Sequence, residues 1–163
     1  MTAAPTSQPS LDFCLSLLAG PTPEEAAVFC AYLLADRVAI WWGHECLRQL
    51  AELLDDHDLD LLERVRGRIG EPAGFASRLV TNRRLSRQRS PAGWLALAAG
   101  LEDGRPGDLD MADLQPILPA RAIHTGVMAG LARVSTADRF AVLSAFVDTG
   151  LQLAQSANAA ETG

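Results

Sequence analysis

The sequence predicts an all-α protein, a compact bundle of about seven to eight amphipathic helices with one long Gly/Pro-rich loop. Three observations favour this class. Helix-starting and helix-ending residues recur along the chain, and the alternation of apolar and polar residues that is typical of strands is missing. Apolar residues make up 48% of the 163 residues, against 21% charged residues, which suits one globular domain.

Cap and turn residues place the helices in chain order. Thr22-Pro23 and Ser90-Pro91 each put a capping residue before a proline, which is typical of a first helical turn. The predicted helices span residues 10–19, 22–34, 36–54, 58–68, 73–88, 91–101, 120–133 and 135–157. The long loop covers 102–119, with one helical turn at 111–114. We expect a disordered lead-in at 1–9, a single helical domain at 10–157 and a disordered tail at 158–163.

Small residues indicate where two helices approach closely. Gly126 and Gly130 are four residues apart, so they lie on one face of the predicted helix 120–133. This Gly-x-x-x-Gly spacing is a membrane motif only inside a long apolar segment, which is missing here. We therefore predict that the pair permits tight packing in a soluble core.

Composition disfavours several classes of protein. The longest apolar run, residues 26–35, is too short to cross a bilayer, and the N-terminus lacks the basic and apolar parts of a signal peptide. We expect a cytoplasmic protein without membrane insertion. The net charge is −6, but residues 64–89 carry eight Arg and one acid. This distribution argues against general nucleic-acid binding and leaves a local basic patch open.

No catalytic residue, metal or cofactor is predicted. Cys14, Cys30 and Cys46 are sixteen residues apart, a spacing that we attribute to chance, and their apolar surroundings disfavour a disulfide framework. The segment DDHDLD at 55–60 lacks the Gly and Glu of a calcium loop, so we expect a solvated turn there. One alternative is a ligand-binding or enzymatic bundle with a pocket near His44 and Cys46.

The basic segment offers a second alternative. Arg83, Arg84 and Arg87 share one face of the predicted helix 73–88. They could dock on the acidic remainder of this protein, contact a protein partner, or bind an anion or nucleic acid. Few aromatic residues lie among them, which counts against stacking on a single strand.

The adjacent residues Trp41 and Trp42 fall on different sides of the predicted helix 36–54. Both sides of this helix are apolar, so we expect it to run through the middle of the bundle, with Trp42 in the core. Trp41 lies on the edge that also carries Arg37 and Arg48. There its indole can stack under either guanidinium or contact a partner. The predicted partner-binding residues are Arg37, Trp41, Arg48, Arg83, Arg84 and Arg87.

Several segments together resemble a known family. They are residues 23–26, the Arg-x-Ala-x-Trp-Trp at 37–42, the Arg- and Ala-rich stretch 81–100, the Gly/Pro loop 104–119 and the Ala-rich pair of helices at 120–157. The resemblance, over about residues 20–157, is to an uncharacterised bacterial family of small helical proteins, a domain of unknown function. Thr81, Asn82 and Leu85 depart from its Ala-rich pattern.

This resemblance implies no catalytic residue. It implies an accessory component of bacterial secretion systems of the type VI, contractile kind. On that basis we expect a non-enzymatic helical adaptor that acts through protein–protein contacts.

Overall fold

A computed structural model describes residues 7–70, 80–83, 90–101 and 114–162, with side chains at 10–69, 90–101 and 118–156. Seven α-helices make up most of the described chain: α1 Ser7–Leu18, α2 Glu24–Leu33, α3 Asp36–Arg48, α4 Asp56–Gly70, α5 Pro91–Ala98, α6 Pro119–Leu131 and α7 Thr136–Thr162. The all-α prediction is confirmed. Among these helices, none combines the length and the apolar character needed to cross a membrane.

Helix α3 lies at the centre of the fold and contacts α2, α4, α5, α6 and α7. Ile40 and Leu47 are fully buried on the side that faces α5 and α6, and Trp42 and Cys46 are fully buried on the opposite side. The Trp42 indole N–H donates a 2.8 Å hydrogen bond to the carbonyl oxygen of Phe146 in α7. The predicted central position of this helix and the predicted burial of Trp42 are therefore confirmed.

Helix α6 approaches α5 and α3 through its glycines. A Cβ atom on Gly126 would lie 2.7 Å from the carbonyl oxygen of Pro91, and one on Gly130 would lie 2.7 Å from Cδ2 of Leu47. Both distances are shorter than real Cβ atoms show. The predicted close packing at this pair is confirmed, and the contact is with two different helices.

The start of α5 is buried, and its backbone N–H groups are all satisfied. Pro91 has no N–H group to satisfy. The Ser90 hydroxyl accepts the N–H of Gly93 at 3.1 Å, as the cap-then-proline signature predicts. The N–H of Ala92 donates to Oδ1 of Asp58 at 3.1 Å, across the interface with α4. A side chain from another helix thus completes the cap.

The prediction of a solvated turn at 55–60 is wrong: helix α4 already begins at Asp56, and the side chain of Asp58 is 0% exposed. Its carboxylate also lies 3.4 Å from Nη1 of Arg133, which donates in turn to the carbonyl oxygen of Leu53 at 3.1 Å. The cap of α4 is Asp55, whose Oδ1 accepts the N–H of Asp58 at 2.8 Å. The other residues of the segment 55–60 are exposed, whereas the buried Asp58 joins α4 to α5 and to Arg133.

Two short strands interrupt the helical pattern. β1, Val80–Arg83, pairs antiparallel with β2, Leu114–Ile117, so that Val80 lies opposite Ile117. The predicted helix 73–88 is therefore wrong at 80–83, and the predicted loop 102–119 contains a strand. The expected helical turn fails at Leu114, and 111–113 lie outside the described residues. β-Branched Val80 and Thr81 suit a pleated strand. The paired residues of β2 are 31 to 37 positions away in the sequence, so no local pattern indicates the pairing.

Other helix ends differ from the predicted ones by several residues. α1 begins at Ser7, before the predicted start at residue 10, and α7 continues to Thr162, beyond the predicted end near 157. α3 ends at Arg48, and a 3₁₀ turn at Ala51–Leu53 lies within the remainder of the predicted helix 36–54. The division into lead-in, domain and tail stays a prediction.

We expect the substitution Asp58→Ala to lower the free energy of unfolding by about 2–4 kcal/mol. It leaves the buried N–H of Ala92 without an acceptor and removes the carboxylate beside Arg133. The control is Asp60→Ala, which removes an exposed ion pair with Arg64 at 3.1 Å and should cost less than about 1 kcal/mol. Urea denaturation measures both. Equal losses would contradict the role given to Asp58.

Two glycine substitutions should have opposite effects. Gly126→Ala places a methyl group against the backbone of Pro91, which cannot move without shifting α5, and should lower stability by about 1–3 kcal/mol. Gly67→Ala in α4 meets nothing within 4 Å and should raise stability by about 0.5–1 kcal/mol through helix propensity. Thermal melting of both variants measures these effects. A Gly126→Ala protein as stable as the wild type would refute the close approach of α6 to the backbone of Pro91.

Candidate functional site

Four rings on three helices form a line on the surface, which we name the aromatic strip: Phe13, Phe29, Tyr32 and His124. The rings of Phe13 and Phe29 meet edge to face, with centroids 5.2 Å apart, and those of Tyr32 and His124 lie 6.2 Å apart. Phe29 and Tyr32 are three residues apart on α2 and so are neighbours on its surface. The strip therefore runs from α1 over α2 to α6.

The packing of α2 explains why its large rings lie outside. Its buried residues are small: Ala26, Ala27, Cys30 and Ala31. They bring the α2 backbone close to the helices beneath, and the larger side chains remain on the outer face. Phe13 on α1 and Tyr32 on α2 are consequently 52% and 51% exposed. Half-exposed aromatic rings held by ring neighbours are a feature of contact surfaces.

His124 forms the α6 end of the strip and is half-buried. Its Nδ1 atom is buried and has no hydrogen-bond partner among the described residues. Burial, and secondarily the charge of Arg121, lower the pKa of His124 below its ordinary value. The shift favours the uncharged imidazole at this end of the strip.

The predicted partner-binding residues on α3 are placed differently from expectation. Arg37 donates a hydrogen bond to the carbonyl oxygen of Ile69, in the last turn of α4, which suits the negative end of that helix. Among the described side chains, the ring stacked on Trp41 is His44, with centroids 5.1 Å apart and planes at 9°. The predicted stacking of Trp41 under Arg37 or Arg48 is thus replaced by an aromatic pair, and Arg48 is exposed.

Of the three arginines on the predicted basic face, the structure describes one, Arg83. Arg83 is the last residue of β1, so it does not share a helical face with the other two. Arg84 and Arg87 lie outside the described residues, and their role as a partner or anion site stays a prediction.

His44 and Cys46 are not brought together. They are two residues apart on α3 and so point about 200° apart around the helix. His44, 3% exposed, lies against Trp41 and 3.3 Å from the Glu45 carboxylate. Cys46 is fully buried, and burial raises its thiol pKa well above the ordinary value. Within the described part of the chain, no three His, Cys, Asp or Glu side chains are grouped to hold a metal ion.

The aromatic strip is not among the features predicted from the sequence. The caps of the second predicted helix give its ends but not its faces. A helical wheel of residues 24–33 places Ala26, Cys30 and their small neighbours on one side and Phe29 and Tyr32 on the other. That pattern, with small residues inside and rings outside, is the local signal that could have found it.

Comparison with known proteins identifies the family. The family model of DUF6931, described as a family of unknown function, matches residues 13–154. Searches of the curated proteins and of the solved structures find no match. The match confirms the predicted resemblance to an uncharacterised domain and covers all seven helices in whole or in part. The chain therefore belongs to DUF6931, a family of unknown function.

Proposed function

We propose that this protein is a non-enzymatic helical adaptor that binds another protein through the aromatic strip. The adaptor role is the one expected from the sequence, but the surface differs from the predicted Arg- and Trp-bearing one. The observation that carries the proposal is the exposure of Phe13 and Tyr32, each held against a second ring.

The continuity of the strip supports a binding role. Single exposed apolar residues are common on any protein and need no explanation. Here, two ring pairs on three different helices are neighbours, because Phe29 and Tyr32 are three residues apart on α2. Aromatic side chains are enriched among the residues that dominate binding energy at protein interfaces. A line of them is therefore a stronger indication of a partner than any one alone.

The ring contacts also favour tight binding. A side chain that is already held in place loses less rotamer freedom when a partner covers it. Phe13 is held by Phe29, and Tyr32 lies against His124. The strip is thus partly pre-organised, as contact surfaces built from rigid aromatic residues are.

Charged residues lie at the edge of the strip. Glu25 is one helical turn before Phe29 on α2, and Arg121 is nearly one turn before His124 on α6; both side chains are exposed. An apolar centre with a polar rim is the usual anatomy of an interface. The acid one turn from Phe29 and the base near His124 would set the orientation of the partner.

The setting of this adaptor is a further part of the proposal. The family resemblance suggests a bacterial protein that accompanies a type VI, contractile secretion system, and the composition suggests the cytoplasm. We therefore propose that the partner is to be sought first among secretion-system components.

We expect Tyr32→Ser to weaken binding of the partner at least about tenfold, because an anchoring aromatic residue commonly contributes more than 1.4 kcal/mol. Affinity capture from the organism that encodes the chain identifies the partner, and calorimetry with purified proteins gives the Kd. Phe13→Ser should act in the same direction. Thermal melting must show that each variant folds.

The matched control is Phe140→Ser, which removes an equally exposed ring (56% exposed) from α7, outside the strip. It should leave the Kd unchanged. The proposal is refuted if the strip variants bind as tightly as the wild type, or if the Phe140 variant loses as much affinity as they do.

A further inference from the structure

Cys14 of α1 and Cys30 of α2 lie side by side in the core. Their Sγ atoms are 3.7 Å apart, and both residues are 0% exposed. A disulfide bond is about 2.05 Å long, so bond formation needs the two sulfurs to approach by less than about 2 Å. We propose that Cys14 and Cys30 are a modification site, a thiol pair that a hydroperoxide converts into a reversible disulfide. This inference does not depend on the proposed adaptor function.

The regular spacing of the cysteines has a structural counterpart. From the sequence alone, the interval of sixteen residues is a chance spacing. In the fold, the three cysteines occupy three successive helices, all are buried, and all carry free thiols. Among the described residues, the sulfur in hydrogen-bond contact with Cys30 belongs to Cys14. The structure therefore singles out one pair among the three.

The two thiols of the pair are not equivalent. The Cys14 thiol donates to the carbonyl oxygen of Ala26 at 3.6 Å, so the hydrogen between the two sulfurs belongs to Cys30. This hydrogen bond lowers the pKa of Cys14, against the opposing effect of burial. The same contact, together with burial, raises the pKa of Cys30. Cys14 is therefore the sulfur that reacts first, because the thiolate is the nucleophile.

The reaction balances in two steps. The Cys14 thiolate attacks the terminal oxygen of the hydroperoxide, the O–O bond breaks, and the leaving oxygen takes a proton to give an alcohol or water. Cys14 is then a sulfenic acid. The Cys30 sulfur attacks it, the S–O bond breaks, and the departing hydroxide combines with the Cys30 proton as water. The two sulfurs lose two electrons in total, and the hydroperoxide gains them.

The oxidant reaches the Cys14 thiolate when α1 opens locally, and the Cys30 sulfur attacks the resulting sulfenic acid once α1 has packed again on α2. α1 is the first described helix and packs mainly on α2 and α7. Of its described side chains, only Leu11 and Cys14 are fully buried. A peripheral helix with so small a buried surface opens more readily than the core. Cys46, by contrast, lies in the central helix α3.

Peptide mapping tests the proposal on the full chain. The protein is treated with hydrogen peroxide under native conditions, then denatured, alkylated with a maleimide and digested. Trypsin cleaves after Arg37 and so separates Cys46 from the other two cysteines. A Glu-specific protease cleaves after Glu24 and Glu25, between Cys14 and Cys30. With both proteases, we expect the fragment that ends at Glu24 or Glu25 to remain linked to the fragment 26–37, with Cys46 alkylated.

Matched variants and reduction complete the test. Cys46→Ala should keep the link, Cys14→Ala should lose it, and dithiothreitol should restore all thiols and lower the melting temperature of the oxidised protein. The proposal is overturned if Cys14 and Cys30 stay alkylatable, if they end as sulfinic acids, or if Cys30 links to Cys46. Mapping of the wild type decides even if the Cys14 variant fails to fold.

Discussion

The hydrogen bond from the Trp42 indole to the carbonyl oxygen of Phe146 is the contact on which the rest of this fold depends. It fixes the central helix α3 to the long helix α7 at a point that is fully buried. The indole leaves no room beside it. A Cβ atom on Gly150 would lie 3.0 Å from its Nε1 and 2.9 Å from the sulfur of Cys30. The helices around Trp42 must therefore present small side chains towards it.

Helix α2 meets this requirement with Ala and Cys on its inner face. One consequence is that Phe29 and Tyr32 stay outside, where they meet rings from α1 and α6 and form the aromatic strip. A second consequence is that α1 can bring Cys14 within 3.7 Å of the Cys30 sulfur. The candidate contact surface and the thiol pair thus follow from the same packing constraint, although each is tested separately.

The features predicted from the sequence are those with a local cause. Ser90-Pro91 predicts a helix start because cap and proline act within one turn. Trp42 is predicted as core because its face of the helix is apolar throughout, and Gly126 and Gly130 indicate close packing by their spacing alone. The general position of most helices follows from such signals.

The features missed depend on partners far along the chain. Asp58 is buried because the start of α5 needs an acceptor for the N–H of Ala92, which no local pattern in DDHDLD reveals. Val80–Arg83 forms a strand because Leu114–Ile117 pairs with it. Trp41 stacks on His44 although an arginine lies on either side of it on the same edge. For the candidate site, the faces of α2 are the one feature that the sequence pattern predicts.

Hydrogen exchange of the indole protons, followed by NMR, measures how firmly the Trp42 indole holds α3 to α7. Trp41 serves as the internal reference, since its side chain is half-buried at the edge of the same helix. We predict that the Nε1 proton of Trp42 exchanges only through global unfolding, so that the free energy of opening obtained from its exchange rate equals the free energy of unfolding. The Nε1 proton of Trp41 should exchange faster. If the Trp42 proton exchanges as fast as that of Trp41, the Trp42 indole does not hold α3 to α7.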